Sequence, residues 1–295
     1  MELVAYCYRM TGSFQDAEDL VQETMLRAWK ARDRYDRSRA SVRTWLYRIA
    51  TNACLTALEG RARRPLPSGL GPPSHDPAAP LTPSFDIPWL QPFPDARIDL
   101  DRRADLRLAL VAALQVLAPR QRAVLVLREV LEFSAAEAAT QLETTVAAVN
   151  SALQRARAAL AAVGDPGEVA EPSEADARAT VEEYLRAFEA GDVNHLVRLV
   201  TEDAVLEMPP VPLWYQGRRD YGRFMRRVFE LRGTGWLTSP LTANGQPAFA
   251  AYAPAGSGHR LHAVQVLTVA GGGVARNVVF ADPRVFELFE LRGQR

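Results

Sequence analysis

The stretch Ser134-Ala-Ala-Glu-Ala-Ala-Thr-Gln-Leu-Glu-Thr-Thr-Val-Ala-Ala-Val-Asn-Ser-Ala-Leu-Gln-Arg-Ala-Arg157 decides how the middle of this chain folds. Ser134 followed three residues on by Glu137 is a capping box, which opens a short helix to Leu142. Glu143-Thr144 supplies a tight turn, and a longer helix follows to about Ala162 with Val146, Val149, Leu153, Ala156 and Leu160 along its inner stripe. Two helices joined in this way, the second longer, make a helix-turn-helix. The second helix turns Asn150, Ser151, Gln154, Arg155 and Arg157 away from the apolar stripe. Asn and Gln bond adenine bidentately, Arg bonds guanine or phosphate, and a helix of this size enters a major groove. The plainer alternative is a solvated helix in an all-α protein, because the same geometry also occurs without DNA.

Working outward, a helix is expected from about Asp101 to Leu117, ending at Ala118-Pro119. There proline suits the first turn of a further helix to Leu131. Upstream, ten of the twenty prolines lie between Arg64 and Asp95, so neither helix nor sheet is sustained and residues 64–100 read as a linker. Its apolar islands, Phe85 to Trp89 and Phe93, are expected to pack on a neighbour. A weaker break runs from Gly164 to Pro172. Three folded blocks result, at 1–63, 101–163 and 174–295.

The first block reads as two helices. Ala17, Leu20, Val21, Thr24, Met25 and Ala28 recur at helical spacing, as do Leu46, Ile49, Ala50, Ala53 and Ala57. Formal net charge is +0 overall, but residues 1–26 hold five acids and one Arg while residues 27–64 hold eleven Lys/Arg and three acids. Such asymmetry suits a module that meets one partner through carboxylates and a phosphate backbone through Arg; a solvated acidic helix beside an Arg-rich turn is the bland alternative. Trp45 and Tyr47 are interleaved with Arg43 and Arg48, with Asn52 one turn on. Aromatic and cationic groups in alternation are what unpaired bases need, though Trp45 alone reads equally well as a core anchor.

The third block changes character. Helices at about Asp176–Glu189 and Val193–Leu199 precede strand-like runs at Ala204–Met208, Trp236–Ala243, Gln246–Ala253, His259–Ala270 and Val274–Ala281, with a helix at about Asp220–Leu231. The expected fold is therefore two all-α bodies followed by an α+β domain with a curved antiparallel sheet. Cys7 and Cys54 lack metal spacing and sit in apolar stretches, so reduced buried thiols and a cytoplasmic location are expected. Early acids exclude a signal peptide, and no apolar run nears the ~20 residues that span a bilayer. No zinc spacing, phosphate-cradling glycine loop or nucleophilic triad is visible, so no metal, cofactor or catalytic residue is expected.

Ala5 to Thr24 (AYCYRMTGSFQDAEDLVQET) resembles the core-polymerase-binding region of sigma factors, and Arg43 to Asn52 (RTWLYRIATN) resembles their minus-ten reading helix. Leu117 to Val124, Phe133 to Ala139 and Val149 to Arg157 resemble their minus-thirty-five domain. The resemblance is to the extracytoplasmic-function class, group 4 of the sigma-70 family. It implies that Asp16, Glu18, Asp19, Gln22 and Glu23 meet the coiled coil of the polymerase β′ subunit, that the second helical domain also meets the β flap, and that promoter DNA is the other partner. Arg43, Trp45, Arg48 and Asn52 would hold the minus-ten strand; Asn150, Ser151, Gln154, Arg155 and Arg157 would read the minus-thirty-five duplex. Members carry about another helix ahead of the equivalent of Leu3, so the first domain is expected to be N-terminally short or to start earlier.

The third block resembles the SnoaL-like, nuclear transport factor 2-like cone through Tyr184 to Asp192, Asp203 to Pro210 and Asn244 to Ala248. That resemblance implies a pocket near Trp214, Tyr215, His262 and Asp282, with Glu207 a weaker candidate. It also implies a regulatory role, by contact with the sigma domains and their linker. The competing reading is a cyclase- or isomerase-like enzyme, or a ligand sensor, fused to a DNA-binding regulator. No His–carboxylate spacing announces a general acid–base pair.

Overall fold

Ser13 and Ser41 each open a helix in the same way, the side-chain oxygen accepting from the backbone N–H three residues on, Asp16 and Thr44 respectively, at 3.1 Å. Orphan donors at a helix start make this the preferred use of Ser. The computed structural model describes residues 2–38, 40–97, 106–163 and 173–294. The expected break at Gly164–Pro172, the last residues of the expected linker and the expected helix start at Asp101 lie outside them.

The described chain divides into two compact units, Met1–Arg64 with Arg97–Gly167, and Pro65–Ala96 with Glu168–Arg295. The first unit is all helix: α1 (Glu2–Thr11), α2 (Phe14–Ala31), α3 (Val42–Leu58), α4 (Leu108–Leu114), α5 (Pro119–Leu125, continuing as a π-turn over Val126–Val130), α6 (Ala135–Gln141) and α7 (Val146–Val163). Tyr6, Tyr8, Met10, Phe14 and Tyr47 fill the core of the first three helices, and Val111, Leu114, Leu127, Val149 and Leu153 that of the rest. Each such side chain contributes about 1.5–3 kcal/mol on leaving water.

Arg122, only 3% exposed, stitches these two sets of helices together. Its guanidinium donates to the Met10 carbonyl at the end of α1, to the Gln115 carbonyl at the end of α4 (3.2 Å), to the Leu117 carbonyl (3.1 Å) and to Gln115 Oε1 (2.6 Å). Helix C-termini leave carbonyls without partners and carry partial negative charge, and one cation answers both. Burial lowers the Arg122 pKa to about 10.

The second unit holds α8 (Glu174–Ala190), α9 (Val193–Leu199), β1 (Val200–Glu207), β2 (Trp214–Gln216), α10 (Arg218–Arg232), β3 (Leu237–Ala243), β4 (Gln246–Ala255), β5 (Gly258–Ala270), β6 (Gly273–Phe280) and α11 (Pro283–Leu288). Gly191 ends α8 at φ +68°, where a Cβ would meet Thr234 Cγ2 at 2.6 Å; only glycine turns the chain there into α9. The sheet order is β2-β1-β6-β5-β4-β3. The expectation of a curved, purely antiparallel sheet needs correction: the sheet is mixed and open, because β1 runs parallel to β6. These two strands are far apart in the chain, so no hairpin fixes their relative direction. Tyr184, Phe188, Phe224, Phe249 and Trp236 pack between the sheet and α8–α10.

The proline-rich segment belongs to this second unit. Its backbone forms no helix beyond short 3-10 turns at Pro67–Gly69 and Asp95–Arg97. Of its expected apolar anchors, Trp89 and Phe93 are buried, while Phe85 is exposed.

Candidate nucleic-acid interface

On α7 the buried stripe is Val149, Leu153 and Ala156, and Asn150, Ser151, Gln154, Arg155 and Arg157 are all exposed. Val146, expected inward, is instead exposed at the first turn, and Leu160 is half-buried. The capping box forms as read, with Glu137 N–H donating to Ser134 Oγ at 3.2 Å and Ser134 N–H donating to Glu137 at 2.8 Å. Hydrogen bonding to the carboxylate from the Ser134 side chain, and then from its backbone N–H, holds the Glu137 carboxyl below its usual range. Glu143 takes a left-handed φ of 51° in the turn. Arg155 donates to Ser151 Oγ one helical turn back, and Arg157 pairs with Glu129 at 2.6 Å. Both pairs are exposed and contribute little, so both guanidinium groups remain available to a polyanion.

On α3 the buried stripe is Tyr47, Ala50, Thr51, Ala53 and Cys54, rotated by about one residue from the expected one. Tyr47 is therefore buried in the core, edge-on to Tyr6 at 5.3 Å and to Phe133 at 5.7 Å, with Arg43 still over its ring at 5.2 Å. Trp45 is half-buried and lies against Tyr35 at 4.8 Å. Arg43 sits over the Phe133 ring at 4.9 Å and donates to the Leu131 carbonyl at 3.4 Å. Arg48 donates to Glu143 at 2.8 Å. Two of the four candidate minus-ten residues are thus engaged by the helix-turn-helix body, while Asn52 is exposed.

On α2, Asp19, Gln22 and Glu23 are exposed and Asp16 and Glu18 half-buried. Asp16 accepts from Arg61 (3.1 Å) and Arg64 (2.9 Å), Glu18 pairs with Arg97 at 3.6 Å, and Glu23 accepts from Arg27. The same face exposes Met25, Leu26 and Trp29, the last at 67%. Met25, expected inward, belongs to this face. A sequence signal existed: Gln22, Leu26 and Trp29 share a helical stripe that the inner residues do not need.

In the sheet unit the candidate pocket residues do not converge. Trp214 and Tyr215 lie on edge strand β2, and His262 lies on β5, three strand spacings or about 14 Å across the sheet. Asp282 caps α11, accepting from the Arg284 backbone N–H at 2.9 Å and pairing with its guanidinium. Desolvation, with Arg232 nearby, lowers the His262 pKa to about 4, and its ring packs edge-on to Trp236 at 5.3 Å. Glu207 is buried, pairs with Arg276 at 2.6 Å and accepts from the Ser68 N–H at 2.9 Å.

A buried polar cluster escaped sequence reading. Asn277 donates to Gln265 (2.7 Å) and to the hydroxyls of Tyr184 (3.1 Å) and Tyr221 (3.2 Å), which are 2.6 Å apart. Burial pushes both phenols above their ordinary range. Cys7 and Cys54 are buried and free. Among the described residues, no group of three or more His, Cys, Asp or Glu is placed to hold a metal, and no helix is long and apolar enough to cross a membrane.

A helical unit whose last helix turns its polar side chains outward, followed by a sheet domain, fits a transcription factor of the sigma-70 type. The family models agree: Sigma-70 region 2 matches residues 2–64, Sigma-70, region 4 matches 107–160 and the SnoaL-like domain matches 181–277. The ECF RNA polymerase sigma factor SigG of Mycobacterium tuberculosis is 47% identical over 300 residues, covering 98% of this chain and 81% of SigG. SigJ of the same organism is 28% identical over 99% of this chain and 92% of SigJ. The crystal structure of SigJ matches with a TM-score of 0.67 at 26% identity, covering 97% and 95% of the two chains. The chain belongs to the extracytoplasmic-function RNA polymerase sigma factors, proteins that bring core RNA polymerase to promoters and start transcription.

Proposed function

We propose a division of labour among the named residues. The α2 face, with Asp16, Glu18, Asp19, Gln22 and Glu23 joined by Met25, Leu26 and Trp29, docks on the coiled coil of polymerase β′, and the region 4 body also meets the β flap. Arg43, Trp45, Arg48 and Asn52 on α3 hold the minus-ten strand. Asn150, Ser151, Gln154, Arg155 and Arg157 on α7 read the minus-thirty-five duplex.

One observation carries the reading: the whole polar set of α7 is exposed while its apolar stripe is buried behind it. A helix so divided presents three or four base-reading side chains to a groove. Its test is transcription in vitro with core polymerase and the full chain across a genomic promoter library. Start sites that vanish with Asn150→Ala and Gln154→Ala support the assignment; an unchanged start-site map in that variant removes α7.

In this reading the C-terminal domain regulates and does no chemistry. A general acid or base needs a partner and a pKa near the working pH. His262 is held neutral, and no carboxylate among the described residues bonds its ring. Asp282 is occupied as a helix cap, and Glu207 lies in an ion pair beneath the proline-rich segment.

A further inference from the structure

The first turn of α7 turns apolar side chains to solvent. Val146, Ala147 and Ala148 are all exposed, Val146 at 42%. A helix advances about 100° per residue, so Val146 stands about 60° round the helix from Val149, the first side chain of the buried stripe. It lies at the stripe's edge and packs under nothing.

The backbone of this turn is already served. The Ala148 N–H donates to Thr145 Oγ1 at 3.1 Å, and the Val149 N–H donates to the Thr145 carbonyl at 3.0 Å. Thr145 thereby caps the helix, and Val146, Ala147 and Ala148 carry no side-chain donor or acceptor. From Val146 to Ala148 no side chain can hydrogen-bond a base edge.

The exposed face of α7 therefore changes chemistry along its length. Methyl groups occupy the first turn. Asn150 and Ser151 stand four residues beyond Val146 and Ala147, on the same lines of the helix, and Gln154 and Arg155 follow one turn later. The N-terminal residues of a recognition helix are the ones that meet base edges in the major groove. Each base pair shows hydrogen-bonding groups there, and the apolar feature is the C5-methyl of thymine, which Ala and other methyl-bearing side chains contact. Ala147 and Ala148 add little bulk, so the helix end comes close to the groove floor. Helical turns are about 5.4 Å apart and base pairs about 3.4 Å. The methyl turn and the amide turn thus read base pairs one or two steps apart.

We propose that Val146 and Ala147 determine promoter specificity by packing on thymine methyl groups at one end of the minus-thirty-five element. Thymine, on either strand, then lies one or two steps from an adenine bonded by Asn150 or Gln154. This rests on the assignment of α7 as the minus-thirty-five reader. The plain alternative is a solvated helix end that touches no base.

The test uses holoenzyme formed from the full chain and core polymerase, on a promoter recovered from the genomic library. Each thymine of the minus-thirty-five element is replaced in turn by deoxyuridine, which removes the C5-methyl and leaves every hydrogen-bonding group in place. Binding is expected to weaken about fourfold at one or two positions, the value of one buried methyl. Val146→Ala and Ala147→Gly should each bring the thymine-to-deoxyuridine affinity ratio back toward one at one of those positions. That ratio is insensitive to a general loss of stability or of binding in either variant. No deoxyuridine effect at any position overturns the proposal, as does an effect that both variants keep. Promoter binding unchanged by Asn150→Ala with Gln154→Ala refutes instead the reading of α7 on which the proposal stands.

Discussion

Replacing Arg122 by Met is expected to destabilise the helical unit by at least about 1 kcal/mol, the lower bound when four orphaned acceptors are set against the relieved burial of the cation. The cation is buried, and a pKa of about 10 against the ordinary 12.5 corresponds to roughly 3 kcal/mol of unfavourable burial, which Met would recover. Against this, the substitution leaves the Met10, Gln115 and Leu117 carbonyls and Gln115 Oε1 without their donor. Each buried acceptor so orphaned costs about 1–3 kcal/mol. Two of these carbonyls close the ends of α1 and α4, so no helical neighbour replaces the donor. Replacing an entire buried ionic cluster by apolar groups is often neutral or stabilising, but here only one partner goes and the acceptors remain. Urea unfolding followed by far-ultraviolet circular dichroism measures the loss. A variant as stable as the wild type would show that the guanidinium is tolerated in the core and does not hold α1 to α4 and α5.

Three further outcomes are expected. Arg155→Ala should weaken minus-thirty-five binding by ~1–3 kcal/mol if the side chain reads a base, with relaxed preference at one position; an unchanged footprint excludes it as a contact. Trp45→Ala should leave promoter binding intact and slow opening, read as lost permanganate reactivity of melted thymines, and normal reactivity assigns Trp45 to the packing around Tyr35. Because the folded His262 pKa is about 4 and the unfolded value 6.5, the unfolded chain takes up a proton that the fold refuses. Stability present above pH 6.5 therefore falls as pH drops to 4, by up to about 3 kcal/mol. His262→Leu should flatten that slope in acid titrations of thermal unfolding, and an unaltered slope disproves the shift.

What was legible in the sequence was what is local. The capping box at Ser134 and Glu137 and the division of α7 into polar and apolar faces both depend on contacts within a few residues. Periodicity located the stripe of α3 to within one residue, which was not enough to place Tyr47, because Tyr47 is drawn inward by Tyr6 and Phe133 from other helices. The Tyr184, Tyr221, Gln265 and Asn277 cluster joins residues 12 to 93 positions apart, and nothing in their spacing announces it. Arg223 and Arg227 look like the solvated side of a helix until their carbonyl partners, His75 for the one and Pro77 and Ala79 for the other, are known. Asp282 is different: Asp followed by Pro and a short apolar run is a helix-start signal, present in the sequence and passed over in favour of a pocket.

The contacts of Arg43 and Arg48 bear on how the closed helical unit gives way to DNA. Arg48 and Glu143 are both well exposed, and such a pair contributes about 0.2–1 kcal/mol, less in salt. Arg43 over Phe133 adds an amount of similar order at a half-exposed site. A phosphate backbone offers the same two guanidinium groups the release of condensed counterions, about 0.9 in the salt exponent for each charge neutralised. On the proposed assignment of Arg43 and Arg48 to the minus-ten strand, DNA is expected to outcompete Glu143 and the Phe133 ring at low ionic strength, and a salt dependence of binding unchanged by Arg43→Ala with Arg48→Ala would refute it.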